Sequence, residues 1–141
     1  VSKHAIPLLK RQGGAIMNLS STAGLYGYPM RSPYASAKWA IVGLSKTMAM
    51  ELGPFNVRVN CICPGSVNGA RMDRVISSIA KATGESVEKV RQDNVQNTSM
   101  TTFVDAEDIA NMIVFSFSDL GAKVSGQSLT VDGDTHSLAT Y

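Results

Sequence analysis

The stretch "VRVNCICPG", residues 57–65, predicts a buried β-strand. Its alternate positions are apolar and would share one face of a sheet: Val57, Val59, Cys61 and Cys63. Pro64-Gly65 ends the strand, because proline cannot donate to a strand ladder and glycine favours a turn.

The segments upstream extend this strand into a repeating α/β unit. Residues 15–21, "AIMNLSS", form a second short apolar run, and residues 22–32 form a loop marked by glycines and a proline. Ser32 followed by Pro33 predicts a helix N-cap and first helical residue, with the helix running from about residue 33 to residue 52. Strands joined by a helix are typical of a parallel sheet.

The segments downstream continue the same alternation. Residues 69–83 and 86–97 predict two helical pieces joined around Gly84, and Ser86 is a candidate cap for the second. Asp105 with Asp108 resembles a capping pair that opens a helix through residues 109–117, and residues 127–133 predict a last short strand. We expect an α/β fold with a parallel sheet and a single domain over residues 1–141.

The start of the chain predicts the last turns of a helix. Apolar residues 5–9 are followed by Lys10 and Arg11, and then by Gly13-Gly14, which end the helix. A domain seldom opens on the tail of a helix, so this pattern indicates a fragment of a longer protein.

Composition narrows the class of protein. The 141 residues are 44% hydrophobic and 17% charged, which suits a soluble globular domain. The net charge of +2 is dispersed, without a basic block, and no apolar run reaches 18 residues, so neither nucleic acid nor a membrane is an expected partner. His4 and His136 lack ligand-like spacing, and we predict no metal site.

Cys61 and Cys63 lie two residues apart within the predicted strand. They fit buried free thiols in a reducing compartment, and hence a cytoplasmic protein, better than a redox or metal pair.

The predicted helix over residues 33–52 is apolar nearly all round. A surface helix carries one apolar stripe, so this helix is expected to be covered on two sides, by its own sheet and by a neighbouring subunit.

Tyr34 and Lys38 lie four positions apart, and therefore on one face of that helix. An ammonium group beside a phenol favours the ionised phenol, which suits proton transfer, although the pattern alone occurs often by chance. Ser21 lies thirteen residues before Tyr34, at the end of a predicted strand, where strand ends of a doubly wound sheet open onto a ligand crevice.

These motifs together resemble the short-chain dehydrogenase/reductase family. The resemblance rests on "NLSSTAG", the Ser21-to-Tyr34 spacing, "YASAK", "VRVNCICPG" and the terminal "SGQSLTVDG", and it covers nearly the whole chain. It implies the C-terminal portion of a Rossmann-like doubly wound sheet, from the end of the helix before the Ser21 strand to the terminal strand. The first nucleotide-binding βαβ units would be absent.

The resemblance also implies an activity: hydride transfer between NAD or NADP and an alcohol or carbonyl substrate. In it Tyr34 is the general acid/base, Lys38 assists it and binds the nicotinamide ribose, and Ser21 orients the substrate oxygen. Pro64, Gly65 and Val67 would lie along the nicotinamide. The family commonly assembles through the helix that carries the tyrosine, which implies a homo-dimer or homo-tetramer through Tyr34–Leu52.

The substrate pocket is less sharply defined by the sequence. Tyr28 and Met72 are candidate substrate contacts, as are Tyr26, Met30 and Val75, with ordinary loop or helix packing as the alternative for each. Their apolar character hints at a partly hydrophobic alcohol or ketone.

The chain departs from the family pattern in two ways. It has no Gly-x-x-x-Gly-x-Gly turn for the cofactor phosphates, and Asn68 or Gly69 stands where a threonine often follows the Pro-Gly pair. A second hypothesis therefore stays open: a truncated, non-catalytic remnant or oligomerisation module.

Overall fold

The computed structural model describes residues 2–139. It contains a three-stranded sheet in the order β1 (Gly14–Leu19), β2 (Val57–Pro64) and β3 (Ser128–Val131), and both strand pairs are parallel. Leu19 lies opposite Ile62, and Pro64 lies opposite Val131, so the carboxyl ends of the three strands meet at one edge. The predicted parallel α/β class is confirmed.

Five α-helices in residues 2–139 connect and cover this sheet. They are α1 (Ser2–Gln12), α2 (Ser32–Leu52), α3 (Ala70–Thr83), α4 (Val87–Asp93) and α5 (Ala106–Phe117). Short 3-10 turns occupy Thr22–Gly24, Gly53–Phe55 and Asp119–Gly121. The second helical piece ends at Asp93 rather than at residue 97, because the chain turns back at Val95 and Thr98.

Strand β2 is largely buried on both faces. The side chains of Val57 and Val59 pack with Met48 and Leu52 of α2, and with Leu9 of α1. On the other face the Arg58 guanidinium donates to the carbonyl groups of Ser116 and Gly121, at the end of α5 and in the turn after it. Burying this strand between helices is the main apolar contribution to the stability of the sheet.

The predicted N-cap of α2 was wrong by one residue. Arg31, not Ser32, is the cap: its backbone is non-helical, and its carbonyl accepts the first helical hydrogen bond from Ala35 N at 2.9 Å. Ser32 and Pro33 therefore both lie in the first turn, where the missing N–H of proline costs nothing. A serine before a proline is a common cap pattern, but the loop geometry at Arg31 decided the start.

The predicted boundary signals at Gly84, Ser86 and Asp105 are confirmed. Gly84 ends α3 in the left-handed conformation, with φ of 76°, and the hydroxyl of Ser86 accepts from the backbone N–H of Lys89 at the start of α4. Asp105 and Asp108 form a reciprocal capping box at the start of α5.

Helix α2 is covered on one side only in this chain. Its buried side chains face the sheet: Ala35, Val42, Ser45, Met48 and Leu52. The opposite face leaves Trp39 51%, Leu44 55% and Met50 81% exposed. The second cover expected from the sequence is not supplied by any residue of the described chain.

Among residues 2–139, none of the helices has the length and apolar character needed to cross a membrane.

Candidate active site

Two adjacent serines follow the end of β1, and their hydroxyl groups make different hydrogen bonds. Ser20 is buried, and its hydroxyl donates to the main-chain carbonyl of Lys38 at 2.8 Å. Ser21 is half-buried, and its hydroxyl oxygen accepts from the N–H of Ala23 at 3.2 Å, which caps the 3-10 turn that follows. Because this oxygen acts as an acceptor, the hydroxyl proton of Ser21 is available to donate to a ligand.

The side chain of Lys38 connects α2 to the end of β1. Its Nζ donates to the carbonyl of Leu19, the last residue of β1, at 3.3 Å, and lies 5.7 Å from the centroid of the Tyr34 ring. An ammonium group has three N–H donors, so it keeps donors for a further partner. The structure therefore brings Tyr34 and Lys38 onto one helix face, beside the strand end that carries Ser21.

Tyr34 sits in the first turn of α2 with 37% of its surface exposed. The ring of Tyr28 meets it edge to face, with the centroids 6.4 Å apart and the planes at 74°. Edge-to-face aromatic pairs are favourable, so Tyr28 helps to orient the Tyr34 ring.

Gly24 is a site-building residue that the sequence reasoning missed. A Cβ at this position would lie 2.5 Å from Ser20 Oγ and 2.8 Å from the carbonyl oxygen of Lys38. Only glycine lets the 3-10 turn approach α2 so closely. The glycine after "STA" was read only as a loop marker, although it follows a strand at the predicted ligand edge.

The segment after β2 provides an open stretch of backbone. Gly65 N donates to Val131 O at 3.1 Å, and a Cβ on Gly65 would lie 2.9 Å from Asp132 Cα, so its missing side chain makes room for the end of β3. Val67 pairs with Val104 through the hydrogen bonds of its two neighbours, Ser66 and Asn68. No main-chain bond in residues 2–139 uses the N–H or C=O of Val67 itself, and strand geometry turns both away from Val104.

Asn68 is occupied by a polar network rather than turned to a ligand. Its amide nitrogen donates to Asp105 at 2.7 Å, and its amide oxygen accepts from Arg91 at 3.0 Å. Arg91 also pairs with Asp73 at 2.9 Å and lies 4.8 Å from the centroid of the Phe103 ring. This network, missed by sequence reasoning, connects the segment after β2 to α3, α4 and the start of α5.

The candidate substrate contacts Met72, on α3, and Met30, in the loop before α2, differ in how far they are buried. Met72 is half-buried and packs against the cluster of Ile76, Ala80 and Val90, between α3 and α4. Met30 is 99% exposed, with a φ of 60°. Tyr28, another of the proposed pocket residues, contacts Tyr34 edge to face.

Cys61 and Cys63 are free thiols, both 0% exposed, and they pack against Val42 of α2. Hydrogen bonding to Cys61 together with burial raises the pKa of Cys63 above its usual range. A thiol held neutral in the core suits the structural interpretation of this pair.

Comparison with known proteins identifies the fold family. The sequence matches the protein-family model described as Enoyl-(Acyl carrier protein) reductase over residues 1–136. The chain belongs to the short-chain dehydrogenase/reductase family. Its Rossmann-like relatives are oxidoreductases that use NAD or NADP.

Individual members of this short-chain family show how much of the protein the chain represents. It is 36% identical over 131 residues to a trans-4-hydroxycyclohexanecarboxylate dehydrogenase of Sinomonas cyclohexanicum, covering 93% of this chain and 44% of that protein. It superposes on sorbitol-6-phosphate 2-dehydrogenase of Erwinia amylovora with a TM-score of 0.88 and 26% identity, covering 99% of this chain and 55% of the other. For L-sorbose reductase of Gluconobacter frateurii, solved with NADPH and L-sorbose, the TM-score is 0.87 at 27% identity, covering 99% and 53%. The chain thus spans about half the length of the relatives it matches.

Proposed function

We propose that residues 1–141 are one domain, the C-terminal portion of an NAD(P)-dependent oxidoreductase that transfers a hydride between the nicotinamide and an alcohol or ketone. The observation that carries this proposal is the position of the Lys38 ammonium group, which is hydrogen-bonded to the end of β1 and lies beside the Tyr34 ring. The sequence pattern alone indicates only that the two side chains share a helix face. The bond from Lys38 to Leu19 O holds that face beside the strand end that carries Ser21, which supports one shared site.

The chemistry assigned to this chain is proton transfer and orientation. In alcohol oxidation, the hydroxyl proton of the substrate passes to the phenolic oxygen of Tyr34, and the carbon gives up its hydrogen with both electrons. Ser21 donates a hydrogen bond to the substrate oxygen, and the positive charge of Lys38 stabilises negative charge on the phenolic oxygen. When bound, the nicotinamide supplies the acceptor or donor of the hydride. Ketone reduction reverses each transfer.

The residues present fit a nicotinamide. The unpaired N–H and C=O of Val67 match the donor and acceptor of a carboxamide, and Pro64 and Gly65 precede them at the same edge. The free donors of Lys38 suit ribose hydroxyl groups. Contacts to the cofactor phosphates are assigned to no residue of this chain, because its sequence has no Gly-x-x-x-Gly-x-Gly turn.

The quaternary structure and the compartment are proposed on separate grounds. The exposed apolar face of α2 supports a homo-dimer or homo-tetramer through the Tyr34–Leu52 helix, since this area is unusual on a free surface. The two unbridged thiols support a reducing compartment, which we propose to be the cytoplasm.

A non-catalytic remnant or pairing module is the second candidate, and the same exposed face of α2 favours it. The two candidates differ in whether the Tyr34 hydroxyl is needed for turnover. Such a module would keep its oligomeric state in a Tyr34→Phe variant and would show no cofactor-dependent reaction.

The deciding experiment measures turnover by the full-length polypeptide that carries these residues. NADH or NADPH formation is followed with a panel of secondary alcohols, in the native protein and in Tyr34→Phe. The variant is expected to lose at least about 100-fold in kcat, because its ring stays and only the proton-transferring oxygen is removed. Thr47→Val, which removes a hydroxyl more than three turns further along α2, is the matched control and should keep full activity. Turnover retained in Tyr34→Phe would overturn the assignment.

A further inference from the structure

The first 50 residues, which carry Ser21, Tyr34 and Lys38, have an unusual charge distribution. No aspartate or glutamate precedes Glu51, whereas the same segment carries the cations Lys3, Lys10, Arg11, Arg31, Lys38 and Lys46. The loop before Tyr34 and the part of α2 up to residue 50 therefore supply no acidic side chain that could neutralise a cation there.

Arg31 is the cation that lies nearest to Tyr34 in the sequence, and the loop holds its backbone in place. Its N–H donates to Tyr28 O at 3.2 Å, and its carbonyl caps α2 through Ala35 N. The guanidinium carbon lies 6.0 Å from the centroid of the Tyr28 ring, and that ring contacts Tyr34 edge to face. Arg31 thus neighbours Tyr28, which in turn neighbours Tyr34, and Tyr34 is itself 37% exposed.

The guanidinium of Arg31 is exposed and has no protein partner within residues 2–139. The ion pairs of this part of the chain are Lys89–Glu85, Lys89–Asp93 and Arg91–Asp73, and no side-chain hydrogen bond involves Arg31. Arg58 and Arg91 differ from Arg31, because the guanidinium group of each donates a hydrogen bond to a specific acceptor. A planar guanidinium fork with free donors matches a carboxylate bidentately.

We propose that Arg31 is a specificity-determining residue that binds the carboxylate of the substrate, so that this site prefers small hydroxy acids and their oxo-acid counterparts. The inference rests on the proposed function and narrows it to a substrate class. The carboxylate is unchanged in the reaction: the carbinol carbon loses its hydrogen with two electrons to NAD⁺ or NADP⁺, and the hydroxyl proton passes to Tyr34. The inference differs from the partly hydrophobic alcohol or ketone hinted at by the sequence; of the residues behind that hint, Met30 faces solvent and Met72 packs between α3 and α4.

The test compares each acid with its own methyl ester, which removes the charge and keeps the reacting carbon. The full-length polypeptide is assayed with 2-, 3- and 4-hydroxy acids of four to six carbons and with their esters, as native protein, Arg31→Met, Arg31→Lys and Arg11→Met. Unchanged thermal melting of Arg31→Met, expected for an exposed side chain, shows that folding is intact.

In the native protein, kcat/KM is expected to be higher for an acid than for its ester. Arg31→Met should lower kcat/KM for the acid by about 10- to 100-fold, the usual effect of losing hydrogen bonds to a charged group, and leave the ester within about threefold. Arg31→Lys should fall between the two, because it keeps the charge and loses the fork. Arg11→Met, a matched charge removal on α1, should match the native protein.

Three results would overturn the inference in distinguishable ways. Equal use of acid and ester, or an equal loss on both in Arg31→Met, overturns the role of Arg31 while the oxidoreductase function stands. A preference for hydroxy compounds that carry a phosphate, tested with glycerol 3-phosphate against glycerol, overturns the carboxylate class. Absence of turnover with any alcohol and either cofactor overturns the proposed function itself.

Discussion

The hydroxyl of Ser20 donates to the main-chain carbonyl of Lys38 at 2.8 Å, so the strand that presents Ser21 is joined directly to the helix turn that presents Lys38. The Lys38 side chain returns to the same strand through Leu19 O. These two bonds couple the position of three candidate catalytic groups, and their energetic and catalytic roles can be separated by mutation.

Ser20→Ala should mainly lower stability, whereas Ser21→Ala should mainly lower catalytic efficiency. Ser20→Ala loses a buried hydrogen bond and is expected to lower the free energy of unfolding by about 1 kcal/mol, with a small effect on kcat. Ser21→Ala removes the proposed donor to the substrate oxygen and should lower kcat/KM by about 100-fold or more, with less effect on stability. Denaturant melts and steady-state kinetics on both variants check this; a larger kinetic loss in Ser20→Ala would contradict it.

Gly24→Ala should be destabilising by about 1–3 kcal/mol, because the added methyl group overlaps Ser20 Oγ and the Lys38 carbonyl. Gly27→Ala is the matched control in the same loop, since a Cβ there meets nothing within 4 Å. Thermal unfolding of the two variants is the measurement. Equal stability of the pair would mean that the turn can move away from α2 without cost.

The exposed face of α2 predicts self-association. Trp39→Glu or Met50→Glu should shift the protein to smaller species in sedimentation velocity, because each introduces a charge into an apolar contact. Val87→Glu, also on an exposed apolar position but on α4, is the control and should leave the assembly unchanged. If the native protein sediments as a monomer, the proposed interface is wrong.

Arg91→Met should loosen the helices α3 and α4 without unfolding the sheet. The substitution removes the bonds from Arg91 to Asp73 and Asn68. The backbone amides around these residues should therefore exchange hydrogen faster. Lys89→Met, which breaks only the surface pairs with Glu85, just before α4, and with Asp93, at the end of α4, should change exchange little. Exchange that rises equally in both variants would remove the special role of the Arg91 network.

Cys61 and Cys63 should resist thiol reagents in the native protein. Both side chains are fully buried, so a thiol reagent should label the unfolded chain much faster than the native chain. Mass spectrometry after timed labelling, with and without denaturant, gives the comparison. Rapid native labelling at pH 7 would show that the strand opens locally.

The sequence by itself determined the elements of the fold and the identity of the candidate site. Alternation in β2, helical spacing in α2, and the caps Gly84, Ser86 and Asp105 are local signals, because each depends on the conformation of a few neighbouring residues. The pairing of Tyr34 with Lys38 follows for the same reason, since residues four apart share one helix face.

Tertiary structure alone decided which groups meet across long separations. The bond from Ser20 to Lys38, the space that Gly24 leaves, and the network that occupies Asn68 join segments that no periodicity relates. The position of the α2 N-cap at Arg31 instead of Ser32 came from the loop before the helix, which also set the Arg31 guanidinium against Tyr28. Local propensity selects the elements, but the packing of one element on another sets where each side chain ends and which partner it finds.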